Sequence, residues 1–241
     1  MRLYDYNWMQ LEQYLREDDR VVVPLGSVEQ HAQLSLGTDS IVVERCAVEA
    51  AEGTAVPVLP VLPYGLTPRF TAYPGTISLR TTVYMDLVTD ILDGLAAHGF
   101  RRIMLLSGHV GNAPAQDAAR DWQRTHPDAQ ILFHGCIAEP SVWALARQVD
   151  ADTGHASWVE NFPWTQVAGA ESPEGSKPAV DATALRVAGA AAMRELLGDG
   201  SFGGPYAMPE DTMLEFWKAA VADVREALDH GWSASSTSGD G

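Results

Sequence analysis

The sequence predicts a layered α/β/α fold built on a mostly parallel central sheet. Three observations carry that expectation. Short β-branched runs alternate with helical stretches along most of the chain, the joints between them are polar or glycine-rich, and apolar residues make up 46% of 241 residues. Repeated strand–helix alternation implies parallel strands joined by right-handed crossovers. The apolar fraction is ample for one large core.

Arg20–Leu25 (RVVVPL) reads as a strand, followed by a loop to Thr38 and a helix over 39–51. A second strand is expected over 56–62. Thr81–His98 has Val83, Leu87, Ile91 and Leu95 at four-residue spacing, which places them on one helical face. Gly99 ends that helix, and RIMLL at 102–106 is the third strand. A helix over 112–125, a strand over 130–134 and a helix over 139–149 follow. Residues 151–163 read as loop and 171–177 as a turn or linker. Two alanine-rich helices are expected over 181–197 and 209–228. The Ser/Gly-rich stretch 233–241 is expected to be a disordered tail beyond a single domain at 1–232.

A formal net charge of −16 argues against a nucleic-acid binder, which needs a basic stripe, and against anionic membrane surfaces. Cys46 and Cys136 lie far apart in apolar stretches, so they are expected as free core residues. The first ten residues lack the basic-then-apolar pattern of a secretion signal, and no apolar run approaches the roughly 18 residues that span a bilayer. A cytoplasmic protein is the expectation.

Two loops carry chemistry. The first, after the first strand, reads Gly26-Ser27-Val28-Glu29-Gln30-His31, then Leu36-Gly37-Thr38-Asp39. In an extended segment Glu29 and His31 point to the same side, and Asp39 opens the next helix, where it can also act as a cap. A carboxylate, an imidazole and a second carboxylate suit zinc, manganese or a similar divalent ion. A surface Glu–His pair with a capping Asp explains the same residues. The second loop, Ser107-Gly108-His109-Val110-Gly111-Asn112, puts a histidine between glycines at a strand end, which turns the backbone sharply and exposes the imidazole. A tight turn capped by Asn112 is the plainer reading. In open α/β sheets, sites lie beyond the carboxyl ends of strands, where both loops sit.

Taken in order, GSVEQH, LGTD, PYG at 63–65, PGTISL at 74–79, GHVGN, and His155 followed five residues later by Glu160 resemble the creatininase family over roughly residues 20–165. The resemblance implies a binuclear metal-dependent hydrolase. Glu29 and His109 would hold one divalent ion and His31 the other, with Asp39 bridging them; zinc, manganese or iron all suit the set. Creatininase itself adds a glutamate two residues after the Gly-His histidine, where this chain has Gly111, so Glu160 is expected to supply the remaining ligand. His155 and Glu160 are the candidate catalytic residues, His155 as the proton carrier. Tyr73, Ser78, Trp158 and Trp164 are candidate pocket residues.

The family resemblance implies action on a small non-peptide amide, with a small-molecule substrate and a homo-oligomer, commonly a hexamer. Many relatives carry H-G-P-H-L-P where this chain has the shorter His31-Ala32-Gln33-Leu34-Ser35. That departure leaves open hydrolytic ring opening of an oxidised cyclitol ketone, as in 3-dehydro-scyllo-inosose hydrolase. A metal-binding relative without catalysis is the remaining alternative. No phosphate-cradling glycine loop is present, which excludes a nucleotide-binding module.

Overall fold

The structure is a computed structural model that describes residues 1–232; the expected tail at 233–241 lies outside the described residues. Three parallel strands, β1 (Arg20–Leu25), β2 (Arg102–Ser107) and β3 (Gln130–Gly135), form the central sheet in the order β1-β2-β3. Their register pairs Val22 with Met104 and Met104 with Leu132. Successive side chains in a strand face opposite sides, and two cores follow from this. Val21, Val23, Leu25, Ile103 and Leu105 face α3 (Thr81–Ala97) and α4 (Pro114–Gln123) through Tyr84, Val88, Leu92 and Trp122. Val22, Met104 and Leu106 face the other way, toward α2 (Thr38–Ala50), α5 (Pro140–Val149) and α8 (Glu210–His230). Both faces of the sheet are covered, which is why β1 and β2 read as nearly continuous apolar runs. Cys46 and Cys136 are free and fully buried in the second core.

The segment 56–62 is not a regular strand. It runs beside β1 through isolated parallel bridges, Val22 to Val58 and Leu25 to Leu62. Pro57 and Pro60 have no N–H to donate, so a continuous ladder cannot form. Leu59 N and Leu62 N still donate to the Val22 and Pro24 carbonyls at 2.9 Å each. The helix expected over 112–125 is divided into a 3₁₀ turn at Val110–Asn112 and α4, which starts at Pro114. The helix expected over 181–197 breaks at Ala188–Gly189 into α6 (Ala182–Val187) and α7 (Ala190–Leu197). Within the expected linker 171–177, Ser176–Lys177 (β4) pairs with Gly204–Pro205 (β5). One helix went unread, α1 (Trp8–Tyr14), although its signal was present: Asn7 and Gln10 form a reciprocal capping box.

At the amino ends of the strands, Asp18 lies 2.7 Å from Arg20 and 3.0 Å from Arg102, Arg20 reaches Asp229, and Arg102 also pairs with Asp19. Partial burial works against the Asp18 charge. Hydrogen bonds from Arg20, then the charges of Arg20 and Arg102, outweigh it and hold the carboxyl below its ordinary value of 3.8. A carboxyl lowered in the folded state contributes stability that is complete above its unfolded pKa and lost as pH falls through the folded one. Asp18→Asn is therefore expected to lower denaturant stability at pH 7, and the gap to wild type should close as pH falls below about 3.8. Urea titrations across that range, with circular dichroism as readout, check this.

Candidate metal centre

Each of the two loops turns at the carboxyl end of its strand and meets the start of α2. Gly108 permits the approach, since a Cβ there would sit 2.6 Å from the Asp39 carbonyl oxygen and 2.8 Å from Val43 Cβ. Asn112, expected as a helix cap, is instead a fully buried tie: its amide donates to the Gly26 carbonyl at 3.0 Å and accepts from Leu66 N at 3.3 Å. Asp39 is no cap either. Gly37 occupies that position without a side-chain bond, and the Asp39 carboxylate turns inward to accept from Ser27 Oγ at 2.6 Å. Ala32 and Ala156, directly after His31 and His155, have φ of 50° and 55°. A left-handed conformation strains a residue with a Cβ and persists only where neighbours enforce it. Here Ala32 N donates to Gln30 Oε1 at 3.1 Å, and Ala156 N donates to Glu160 Oε2 at 2.6 Å.

These turns bring Glu29, His31, Asp39, His109, His155 and Glu160 to one place. His31 Nε2 lies 3.1 Å from Asp39 Oδ1 and 4.0 Å from Glu160 Oε2. His109 Nδ1 is 3.0 Å from Asp39 Oδ2, and its Nε2 is 3.5 Å from Glu29 Oε2. Ligand atoms close enough to share an ion form the sets Glu29–Asp39–His109 and His31–Asp39–Glu160, with Asp39 common to both. Glu29, His31 and His155 form a third such set.

The electrostatics show why cations belong here. Burial pushes Glu29 up to about 8, against the pull of His109, and burial also raises Glu160. Burial opposes charge on His31, but Asp39 and then Glu160 outweigh it and lift the imidazole to about 10. The same contest, with Glu29 and Asp39 as the anions, lifts His109 to about 9. Burial likewise opposes the Asp39 charge, yet His31 and His109 hold that carboxyl well below its usual value. Three carboxylates in a space closed to water demand positive charge. Glu29 Oε2, moreover, is buried without a hydrogen-bond partner. An oxygen-and-imidazole donor set of this kind fits two divalent cations.

Glu160 enters the set because position 111 cannot. A Cβ on Gly111 would lie 2.2 Å from the Leu66 carbonyl oxygen and 2.3 Å from His109 Nε2. His155 sits beside the cluster, with Nδ1 3.7 Å from Glu29 Oε1 and Nε2 3.0 Å from the Gln30 carbonyl oxygen. Its ring stacks on Phe70 at 5.0 Å. Burial, reinforced by the charge of His31, keeps the imidazole neutral well below its usual pKa.

A cavity of about 630 Å³ opens above these groups. Its aromatic wall is Phe70, Trp143 and Phe202; no motif in the sequence pointed to them. The four expected pocket residues lie elsewhere. Trp158 is fully buried in the core, edge-on to Phe216, with Nε1 donating to Thr153 Oγ1 at 2.8 Å. Trp164 stacks on Phe162 beneath the Arg45 guanidinium. Tyr73 packs with Phe70, Met193 and Leu197. Ser78 Oγ accepts from Thr67 N and donates to the Leu79 carbonyl, which shapes a turn. Gln30 and Ser27, which hold His155 and Asp39, were legible only as members of the GSVEQH motif.

A profile of the Creatininase family, described as creatinine amidohydrolase, matches residues 4–228. The chain belongs to the creatininase family. Among characterised family members, it is 30% identical over 102 residues to 3-dehydro-scyllo-inosose hydrolase of Thermotoga maritima, covering 42% of this chain and 33% of that protein. It is also 30% identical over 116 residues to creatinine amidohydrolase of Pseudomonas putida, covering 45% of each. The matched stretches thus span a third and less than half of those two proteins. A solved creatininase structure superposes with a TM-score of 0.80 at 18% identity, covering 97% of this chain and 98% of the other. A manganese creatininase superposes at 0.74 with 19% identity, covering 97% and 99%. The creatininase fold is therefore that of this chain.

If Asp39 serves both ligand sets, Asp39→Ala is expected to abolish binding of both ions. Glu160→Gln should remove the one shared with His31 and leave that of Glu29 and His109. Elemental analysis after dialysis against zinc or manganese counts the ions, and thermal melts confirm folding. Trp158→Ala should cost about 3–5 kcal/mol of stability as a core truncation, read by denaturant titration.

Proposed function

We propose that this creatininase-family hydrolase is a binuclear enzyme that hydrolyses the C–N bond of a small non-peptide amide, cyclic or linear. The observation that carries the reading is the pair of three-residue sets joined at Asp39, beside a histidine kept neutral by burial and beneath a cavity of about 630 Å³. Glu29, Asp39 and His109 would hold one ion, and His31, Asp39 and Glu160 the other, with zinc and manganese the expected metals. Two such ions supply a water whose pKa is lowered toward neutrality and a Lewis acid that polarises the carbonyl.

The chain's own residues do the rest. Ser27 Oγ donates to Asp39 Oδ2 and fixes the orientation of the shared carboxylate. The Glu29 carbonyl oxygen accepts from His31 Nδ1 at 3.1 Å, which leaves His31 Nε2 as the donor atom. His155 is held the opposite way. Its Nε2 lies 3.0 Å from the Gln30 carbonyl oxygen and 2.9 Å from the Gln30 amide nitrogen, and its Nδ1 faces Glu29 Oε1 at 3.7 Å. That nitrogen takes the proton of the attacking water and passes it to the departing nitrogen, as general base and then general acid. Phe70 and Phe202 pack on the His155 ring and exclude bulk water from it.

A second reading is favoured by the similarity to 3-dehydro-scyllo-inosose hydrolase. The same water and the same proton carrier can open a ketone ring by C–C cleavage. Assay of metal-loaded protein against creatinine, simple formamides and an inosose-type ketone separates the two. Amine or formate release supports the amide reading, and ring opening of the ketone alone replaces it. His155→Ala is expected to keep both ions while turnover falls about 10²- to 10⁴-fold; unchanged turnover would remove His155 from the mechanism.

A further inference from the structure

The cavity above the metal centre has a polarity that the hydrolase reading does not use. Outside the metal set its wall carries two arginines, Arg69 and Arg147, against a single carboxylate, Asp152. The whole chain has the opposite balance, 32 acidic side chains to 16 basic. Arg147, on α5, has no hydrogen bond or ion pair among the described residues, is exposed, and lines the cavity. Arg69 is braced at the mouth by donating to the Leu185 carbonyl oxygen of α6, which uses only one of its five N–H groups.

Deeper in the cavity lies a second unused group. Thr67 lines the wall, is 2% exposed, and its hydroxyl oxygen is buried with no hydrogen-bond partner. Its neighbour Leu66 accepts from His109 Nε2 at 3.0 Å, so Thr67 stands directly beside the metal centre. A buried hydroxyl without a partner is costly unless something fills the space and bonds it. The same wall carries the apolar side chains of Phe70, Phe202 and Val180.

We propose that the substrate is an anionic small amide whose carboxylate or phosphate group is held at the cavity mouth by Arg147 and Arg69, with Thr67 Oγ1 hydrogen-bonding the portion next to the reacting carbonyl. This rests on the amide-hydrolase reading and narrows it. Arginine forks bind carboxylate and phosphate in two-pronged fashion, and the bond strengthens where an apolar wall excludes water. The mouth of a strongly negative molecule otherwise repels such ligands, so a local reversal of charge is what admits them. Creatinine and a cyclitol ketone lack the anionic group, and for them the two arginines have no use.

A matched set of formamides on one two-carbon scaffold tests this. It comprises N-formyl-β-alanine, O-phospho-N-formylethanolamine and the neutral N-formylethanolamine. Titration calorimetry on zinc-loaded protein is expected to show at least one anionic member binding about ten-fold tighter or more than the neutral one. Whichever anion is preferred identifies carboxylate or phosphate. Arg147→Gln should reduce that preference to about three-fold or less, whereas Arg120→Gln, on the surface of α4, should not alter it. Thr67→Val should weaken all members alike. Absence of any anion preference in the wild type, non-binding of the whole set included, overturns the proposal, as does a preference that survives Arg147→Gln.

Formate release, measured on the same samples, separates this from the reading beneath it. Arg147-dependent binding without formate release leaves the anion site standing and defeats the amide-hydrolase assignment. Formate release that is equal across the set and indifferent to Arg147 does the reverse.

Discussion

Three carboxylates and three imidazoles are enclosed at the carboxyl ends of two adjacent strands, and the surrounding architecture answers to that concentration of charge. Removing an ion from water costs several kcal/mol even after relaxation, so Glu29, Asp39 and Glu160 are ionised together only with cationic partners within contact distance. That requirement explains local features that otherwise look unrelated. Gly108 lets the second loop press against the first turn of α2. Ala32 and Ala156 hold left-handed turns that redirect the chain immediately after a functional histidine. Ser27 and Asn112 spend their hydrogen bonds on holding neighbouring groups in place. The backbone here is shaped by the ligand geometry, and the two hydrophobic cores to either side of the sheet provide the stability that carries the strain.

The replacement of a glutamate by Gly111 shows how tightly that geometry is coupled. With glycine at 111 the His109 ring and the Leu66 carbonyl close over the position, and no side chain fits. The third carboxylate of the cluster comes from another part of the chain. Glu160 comes from a loop about fifty residues later, held by Ala156 N and aimed at His31. The exchange couples the metal centre to the packing of 151–165, since Trp158 and Phe162, which flank Glu160 in sequence, are fully buried in the core beneath it. A ligand anchored this way is as rigid as the core itself, a condition for holding a reacting geometry.

The parts of the molecule visible in the sequence were those with a local chemical cause. β1, β2 and α3 follow from runs and periodicity that do not depend on distant residues, and the ordered motifs named residues that the fold brings into one cluster. Where several local influences compete, the reading failed. The apolar, β-branched composition of 56–62 suggests a strand, but Pro57 and Pro60 leave it as bridges. Alanine-rich 181–197 suggests one helix, but Gly189 divides it. Trp158 and Trp164 were misplaced for a different reason. The local sequence around the His155 and Glu160 motif suits an aromatic facing the cavity or the core equally, and the decision belongs to α8, whose Phe216 and Trp217 receive them. Phe70, Trp143 and Phe202 line the cavity from three separate segments, and no spacing rule joins segments that meet only after folding.

Recognition and chemistry consequently occupy different structural levels. The carboxylate and imidazole cluster is assembled from the loops after β1 and β2, positioned by parallel hydrogen bonding and by α2, and from the later loop that carries His155 and Glu160. The cavity wall is assembled from the 66–70 segment, α5 and the region 176–206, which is tied to the rest by Phe202 N to the His155 carbonyl, Trp158 N to the Pro205 carbonyl, Gln30 Nε2 to the Gly200 carbonyl and Arg194 to the Ala72 carbonyl. On the proposed function, substitutions at wall side chains such as Arg147 would alter which molecule reaches the cluster while leaving its carboxylates and imidazoles in place. On the same reading, the floor would decide what is done to a carbonyl, and the wall which carbonyl arrives. Under the proposal above, an apolar wall that also carries Arg69 and Arg147 would favour a compact molecule with one charged end.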